Sequence, residues 1–188
     1  MNIDKKLIRS CAKNDRKSQF LLYRECYRLL MSVCYRYKKD KSEAEALMNM
    51  GFMKILTKLD KYNEEGPFDA WSRKIMINTI IDEYRKNKKG KEKIEYTDFQ
   101  ESTYDQHNVD YNEADKQFNA EEMKLMLLKL PDMSRKVFNL YAVDGYSHKE
   151  IAELFNISVG TSKWHVSTAR SELKKLIEKK LNPVELEN

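Results

Sequence analysis

Apolar residues at Phe20, Tyr23, Tyr27, Leu30, Cys34 and Tyr37 recur in alternating steps of three and four. That period puts them on one face of a helix running from about Ser18 to Tyr37. A second helix is predicted from Ser42, where Glu45 three residues on completes a capping box, through Ala44, Leu47, Phe52, Ile55, Leu56 and Leu59. Gly51 inside it costs about 1 kcal/mol relative to alanine. Asp60 to Pro67 interrupts the pattern with Asn63, Gly66 and Pro67, and a third helix then carries Phe68, Trp71, Ile75, Ile77, Ile80, Ile81 and Tyr84. These helices are expected to share one core.

The pattern then lapses. Arg85, Lys86, Lys88, Lys89, Lys91 and Lys93 face only Glu92, and helix is not expected to pass Gly90. From Ile94 to Ala120 the sign reverses, with Glu95, Asp98, Glu101, Asp105, Asp110, Glu113 and Asp115 against Lys116, and apolar periodicity is absent. This reads as a flexible acidic linker. Periodicity returns near Glu121, where Met123, Leu127 and Leu130 lead to Pro131, and Val137, Phe138 and Tyr141 mark a helix ending before Asp144-Gly145. Ser147 caps a short helix, with Glu150 completing the box and Ile151, Ala152, Leu154 and Phe155 on its buried side. After the Asn156-Ile157-Ser158 turn, Ser158 can cap a last helix whose Ser162, Val166, Ala169, Leu173, Leu176 and Ile177 share a face. Helix, tight turn and second helix in succession make a helix-turn-helix.

Composition agrees with an all-α fold: 188 residues hold only 5 Gly and 3 Pro, and Lys, Glu, Leu, Met and Ala fill the periodic stretches. The expected architecture is two small helical domains, an N-terminal one of three to four helices and a C-terminal helix-turn-helix domain, joined by the acidic linker. A net charge of +5 is compatible with a polyanionic partner, but 35 basic against 30 acidic residues leaves the argument to their distribution. Cys11, Cys26 and Cys34 are odd in number and form no CxxC pair, and His107, His148 and His165 lack cysteine partners at ligand spacing. No disulfide framework, metal site or cofactor is therefore expected, and the cysteines point to a reducing cytoplasm. The first residues lack an apolar core suited to a signal peptide, and no apolar run approaches the ~20 residues that span a bilayer, so a soluble protein without membrane insertion is expected.

Two polar surfaces carry chemistry. On the last helix the face opposite Val166 and Ala169 presents Trp164, Ser167, Thr168 and Ser171, with Lys163 on its flank. Lys163 suits a guanine edge, Ser167 and Thr168 suit several bases, and Trp164 has the apolar surface to meet a thymine methyl, while Lys149 on the preceding helix suits a phosphate. An ordinary surface or partner-packing role for Trp164 and Lys163 also fits. On the third helix, the face away from Ile77 and Ile81 offers Lys74, Asn78 and Arg85, beside the loop from Tyr62 and Asn63 to Phe68. Amide, basic and aromatic groups together suit an unstacked single strand. Periodicity alone equally allows a solvated face above a core-packed Phe68 and Trp71.

These residues resemble a known family, the extracytoplasmic-function sigma factors of bacterial RNA polymerase. Leu130-Pro131, Val137-Phe138, Gly145 through Ala152, Gly160-Thr161-Ser162-Lys163 and Ala169-Arg170 follow its helix-turn-helix motif, and Tyr62 to Trp71 with Ile75, Asn78, Asp82 and Arg85-Lys86 resembles its promoter-melting segment. The resemblance implies a non-enzymatic factor that directs promoter recognition, DNA melting and transcription initiation. Residues 1–90 would bind the clamp of core polymerase and melt the minus-ten element, with Asn78 and the preceding loop holding a flipped base. Residues 91–120 would be the linker. Residues 121–182 would rest on the polymerase flap and read the duplex minus-thirty-five element, and 183–188 would form a tail. An anti-sigma factor is implied as a further partner. The clamp-binding surface would include Glu45, Ala46, Asn49, Met50 and Met53, and here the chain departs from the family, which usually carries an acidic residue and then Gln-Glu where Ala46, Asn49 and Met50 stand. Glu43 and Glu45 are left to supply the acidic character. His165 and Thr168 likewise stand where many members carry Arg.

Two alternatives differ in class. A stand-alone dimeric helix-turn-helix regulator explains the second domain alone and requires paired half-sites about one helical turn apart. A metal-dependent nucleic-acid enzyme would use Asp82 and Glu83, but neighbours on a helix point in different directions, and Asp82 can pair with Arg85 or Lys86 instead.

Overall fold

Asp4, Asp15 and Asp40 each start a helix by the same device, a side-chain carboxylate accepting from the backbone N–H two or three residues on. The helices they start are α1 (Lys5–Ala12), α2 (Arg16–Tyr35) and α3 (Lys41–Leu56). A 3-10 turn over Leu59–Lys61 precedes α4 (Phe68–Lys89). A computed structural model describes residues 3–89 and 120–181 of the chain. In the second segment come α5 (Ala120–Lys129), α6 (Asp132–Phe138) continued by a wider π-type turn over Asn139–Val143, α7 (His148–Phe155) and α8 (Val159–Leu181). The fold is all-α, with no strand among the described residues, and it divides into two compact helical units. The acidic linker and the C-terminal tail expected from the sequence lie almost wholly outside the described residues.

In the first unit, α2, α3 and α4 pack on one another, and α1 lies against α2 and the Leu59–Lys61 turn. The core is built from Leu22, Cys26, Leu30 and Val33 of α2, Leu47, Met48 and Ile55 of α3, and Met76, Ile77, Ile80 and Ile81 of α4. Gly51 belongs here for a packing reason: a Cβ at this position would come within 2.4 Å of the Met76 sulfur. Its absence lets α4 lie close to α3 and offsets the helix propensity that glycine forfeits.

Three expectations are corrected. The stripe read on α2 holds at Leu30, Cys34 and Tyr37, which are buried, but not at its start: Leu22 and Cys26 are fully buried, Tyr23 and Tyr27 are half-buried, and Phe20 is 61% exposed. Three consecutive apolar residues, Phe20 to Leu22, span about 200° of a helix, so they cannot all face one core. The cap of α3 is Asp40, accepting from Glu43 N at 2.9 Å, and Ser42 with Glu45 is not its capping box. Asp82 pairs with Lys54 of α3 at 2.9 Å, and Glu83 with Lys38, in the connection between α2 and α3, at 3.0 Å, so the two carboxylates are held by separate lysines and diverge. No cluster of His, Cys, Asp or Glu fit to hold a metal occurs among the described residues. The three cysteines are free and buried, and burial pushes the thiols of Cys26 and Cys34 up to about 12. Among the described residues no helix is long and apolar enough to cross a membrane.

In the second unit, α6 and α7 both pack against α8 through Val137, Phe138, Leu140, Ile151, Phe155, Val166, Ala169 and Leu173. Gly145, at φ +75°, makes the turn ahead of α7, a backbone conformation open to glycine without a Cβ penalty.

Candidate nucleic-acid interface

The helix-turn-helix is assembled by short-range hydrogen bonds. Ser147 N donates to the Glu150 carboxylate at 2.8 Å, and Glu150 N donates back to Ser147 Oγ at 3.2 Å, completing the box expected at the start of α7. Asn156 closes α7 in the left-handed region at φ +52°, and Ile157 N donates to Ala152 O at 3.1 Å. Ser158 Oγ then accepts from Thr161 N at 2.9 Å and starts α8.

α8 buries Ser162, His165, Val166, Ala169 and Leu173 and turns the opposite side outward. Lys163 and Ser171 are exposed, and Trp164, Ser167 and Thr168 are half-exposed on that side, where the sequence placed them. Lys149 is exposed in the first turn of α7. Beneath this surface, His148 stacks on Tyr141 with ring centroids 4.4 Å apart, and its Nδ1 lies 3.0 Å from Ser162 Oγ. Burial, then the nearby Lys163 and Arg170, lower the affinity of His148 for a proton. His165 is only 4% exposed, with Nδ1 3.0 Å from Ser134 Oγ of α6, and burial pushes it down to about 4. It is a core residue, and reading it as a weakened stand-in for a DNA-facing arginine is corrected on that ground.

In the first unit, the loop ahead of α4 is folded on itself. Tyr62 Oη donates to Gly66 O at 2.6 Å, and Tyr62, Phe68 and Trp71 form a ring cluster with centroids 5.2 to 5.4 Å apart. Phe68 is 3% exposed, so its ring supports the loop from below and has no free face for a base. Tyr62 and Trp71 are half-buried, and Asn63, Lys74, Asn78 and Arg85 are exposed. Steps of four and seven place Lys74, Asn78 and Arg85 along one outward line of α4, opposite the buried Ser72 and Met76; the buried Ile77 and Ile81, taken from the sequence as the far side, flank this line instead.

A third surface lies on α3. Ala46, Asn49, Met50 and Met53 are all exposed at i, i+3, i+4 and i+7, forming one stripe, while Glu45 beside it is half-buried and 3.8 Å from Lys41. Tyr23 Oη donates to Asn49 Oδ1 at 3.0 Å and the Tyr23 ring meets Phe52 edge-on, so α2 borders the stripe. Phe20 and Leu21, exposed one turn earlier on α2, were missed in the sequence. Their signal was the crowding of apolar residues just noted. Glu64 was also missed; it adopts φ +59° and is bound by Lys5 and Arg9 of α1, more than fifty positions away, which no local pattern announces.

The sigma-70 region 2 family matches residues 22–90, and the sigma-70 region 4 family matches residues 120–173. The RNA polymerase sigma factor SigZ of Bacillus subtilis is 30% identical over 74% of this chain and 75% of its own length. This chain belongs to the sigma-70 family, in its extracytoplasmic-function group. The extracytoplasmic-function sigma factor SigW of the same organism is 29% identical over 78% of this chain and 81% of its own. Among solved structures, RpoE of Bartonella quintana in complex with the anti-sigma factor NepR has a TM-score of 0.49 at 23% identity, covering 84% of this chain and 96% of that one.

Function follows from membership. This sigma factor directs promoter recognition and transcription initiation by RNA polymerase, and chemistry on the nucleotides belongs to the polymerase. Region 2 has no place in a stand-alone dimeric regulator, which sets that alternative aside.

Proposed function

We propose that residues 1–90 bind the clamp of core polymerase and melt the minus-ten element, and that residues 121–182 read the minus-thirty-five duplex and rest on the flap, with 91–120 as linker and 183–188 as tail. In the first unit the stripe Glu45, Ala46, Asn49, Met50 and Met53 docks on the clamp. Tyr62 and Asn63, with Lys74, Asn78 and Arg85, receive the melted strand, Asn78 meeting the edge of an extruded base and the basic residues its phosphates. Phe68 serves by holding Tyr62. In the second unit Lys163, Trp164, Ser167 and Thr168 face bases in the major groove and Lys149 faces a phosphate.

The observation that carries the strand-binding assignment is Asn78. It is exposed on the line between Lys74 and Arg85, and no hydrogen bond occupies its amide among the described residues. Flipping a base costs a few kcal/mol, which new contacts to that base must offset. An exposed amide beside a preformed loop is suited to supply them.

The test is run-off transcription on fragmented genomic DNA of the source organism, with core polymerase, to locate start sites, followed by assays on a promoter so defined. Asn78→Ala should leave closed-complex binding near the parent level and cut open-complex formation, read by permanganate reactivity of unpaired thymines. Equal loss in both steps would remove Asn78 from strand capture.

The factor works in the cytoplasm, where polymerase is. An anti-sigma factor is a further partner implied by the family, and the structural relative from Bartonella quintana is described with one. Any such inhibitor that covered the exposed Phe20, Leu21, Met50 and Met53 would compete directly with the clamp.

A further inference from the structure

Helix α1 lies before the residues matched by region 2, which begin at position 22. It is nonetheless fixed to the body of the unit: Ile8 and Cys11 are buried, Ser10 Oγ lies 2.9 Å from Ser18 Oγ, and Gln19 Nε2 donates to Cys11 O at 3.4 Å. Lys5 and Arg9, one turn apart on α1, reach the same carboxylate. Lys5 Nζ is 2.9 Å from Glu64 Oε2, while Arg9 Nε and Nη2 donate to Oε1 at 3.2 and 3.1 Å. These hydrogen bonds hold the Glu64 carboxyl below its usual range. Glu64 is the middle of the Tyr62–Gly66 loop and sits in the left-handed region, which residues with a Cβ seldom adopt.

Exposed ion pairs add little to the stability of a fold, and the side chains of Lys5 and Arg9 are 65% and 68% exposed. What this pair of contacts does fix is the shape of the loop, from one side, while Tyr62 and Phe68 fix it from the other. We propose that α1 is a positioning element for strand capture: Lys5 and Arg9 grip Glu64 and keep the loop in the form that accepts an extruded base. The proposal rests on the assignment of this loop and Asn78 to the melted minus-ten strand. A loop already held in its binding shape avoids the ordering cost at the moment of binding, so loss of the grip should weaken capture without changing what is captured.

The experiment is a charge-swap cycle, Arg9→Glu, Glu64→Arg and both together, in the full-length factor bound to core polymerase. The probe is a fluorescent single-stranded oligonucleotide carrying the minus-ten segment of a promoter mapped by run-off transcription, with Asn78→Ala as reference. Each single swap should lower oligonucleotide affinity about two- to fivefold, the range of exposed ion pairs, and the double swap should recover most of it. Core binding and thermal midpoint should hold in all three. Single swaps that bind as well as or better than the parent, or a double swap as weak as the two losses combined, overturn the grip. Weakening by Asn78→Ala alone would leave the strand assignment standing and the grip refuted, whereas no effect of Asn78→Ala would overturn both.

Discussion

His165 gives the second unit a pH dependence that can be worked out from its burial. An imidazole with an ordinary value near 6.5 is held to about 4 in the folded chain by burial. Between those values the unfolded chain binds a proton that the folded chain refuses. Stability from this residue is therefore fully present above pH 6.5 and is lost as pH falls toward about 4. At about 1.4 kcal/mol per unit, the whole window is worth about 3 kcal/mol, and about 2 kcal/mol is lost by about pH 5. Against a typical domain stability of about 5 to 15 kcal/mol this is a large share. Trp164 lies beside the reporting group, with ring centroids 4.8 Å apart, and the only other tryptophan, Trp71, is in the first unit. In a Trp71→Phe background, urea unfolding followed by Trp164 fluorescence should show this loss between about pH 7.5 and 5. The same measurement on His165→Gln, which cannot titrate, should show a slope shallower by about 2 kcal/mol over that interval. Equal slopes in the two proteins would mean that His165 is protonated in the folded state, and the burial argument would fail.

Two further outcomes are expected. Lys163→Ala and Trp164→Ala should each change which upstream sequence is preferred, by about 1 to 3 kcal/mol per lost base contact, measured by competition among promoter duplexes; an unaltered preference with uniformly weaker binding would make them phosphate or packing residues. Met50→Asp and Met53→Asp should each weaken binding to core polymerase by at least about 1 kcal/mol, from lost apolar burial and a stranded charge, measured by titration of labelled factor; unchanged affinity would move the docking surface elsewhere.

The helix-turn-helix was legible residue by residue because its determinants are local. Ser147 and Glu150 are three positions apart, Ser158 and Thr161 likewise, and the buried face of α8 follows a simple helical period through Val166, Ala169 and Leu173. The first unit was less legible where local signals compete. Asp40 and Ser42 can both cap a helix, and the aspartate does so; Phe20, Leu21 and Leu22 are all apolar, and only the last is buried. His165 could not be placed from sequence because its burial depends on Ser134, on a separate helix. Helix α1 was not assigned at all, since a helix of eight residues is too short to stand on propensity and draws its stability from docking.

The departures from the family pattern on α3 acquire a physical meaning once the helix is in place. Ala46, Asn49 and Met50 lie with Met53 on one exposed line, so the two acidic positions of the family pattern carry apolar Ala46 and Met50, and Asn49 keeps an amide, on a surface that stays accessible. The fold does not need those methionines for packing: the core beneath is already filled by Leu47, Met48 and Ile55. On the docking role proposed for this stripe, affinity comes from burying flexible thioether side chains, which adapt to the shape of the partner. Charge pairs would give specificity and faster encounter, and would weaken as salt rises. An apolar stripe gives neither, but holds its contribution across ionic strength. The acidic character that remains nearby, at Glu45, is already shared with Lys41. On that proposal the docking energy comes from burial more than from steering, at the same place on the helix, and a sequence without the family's charged residues there would still dock on the clamp.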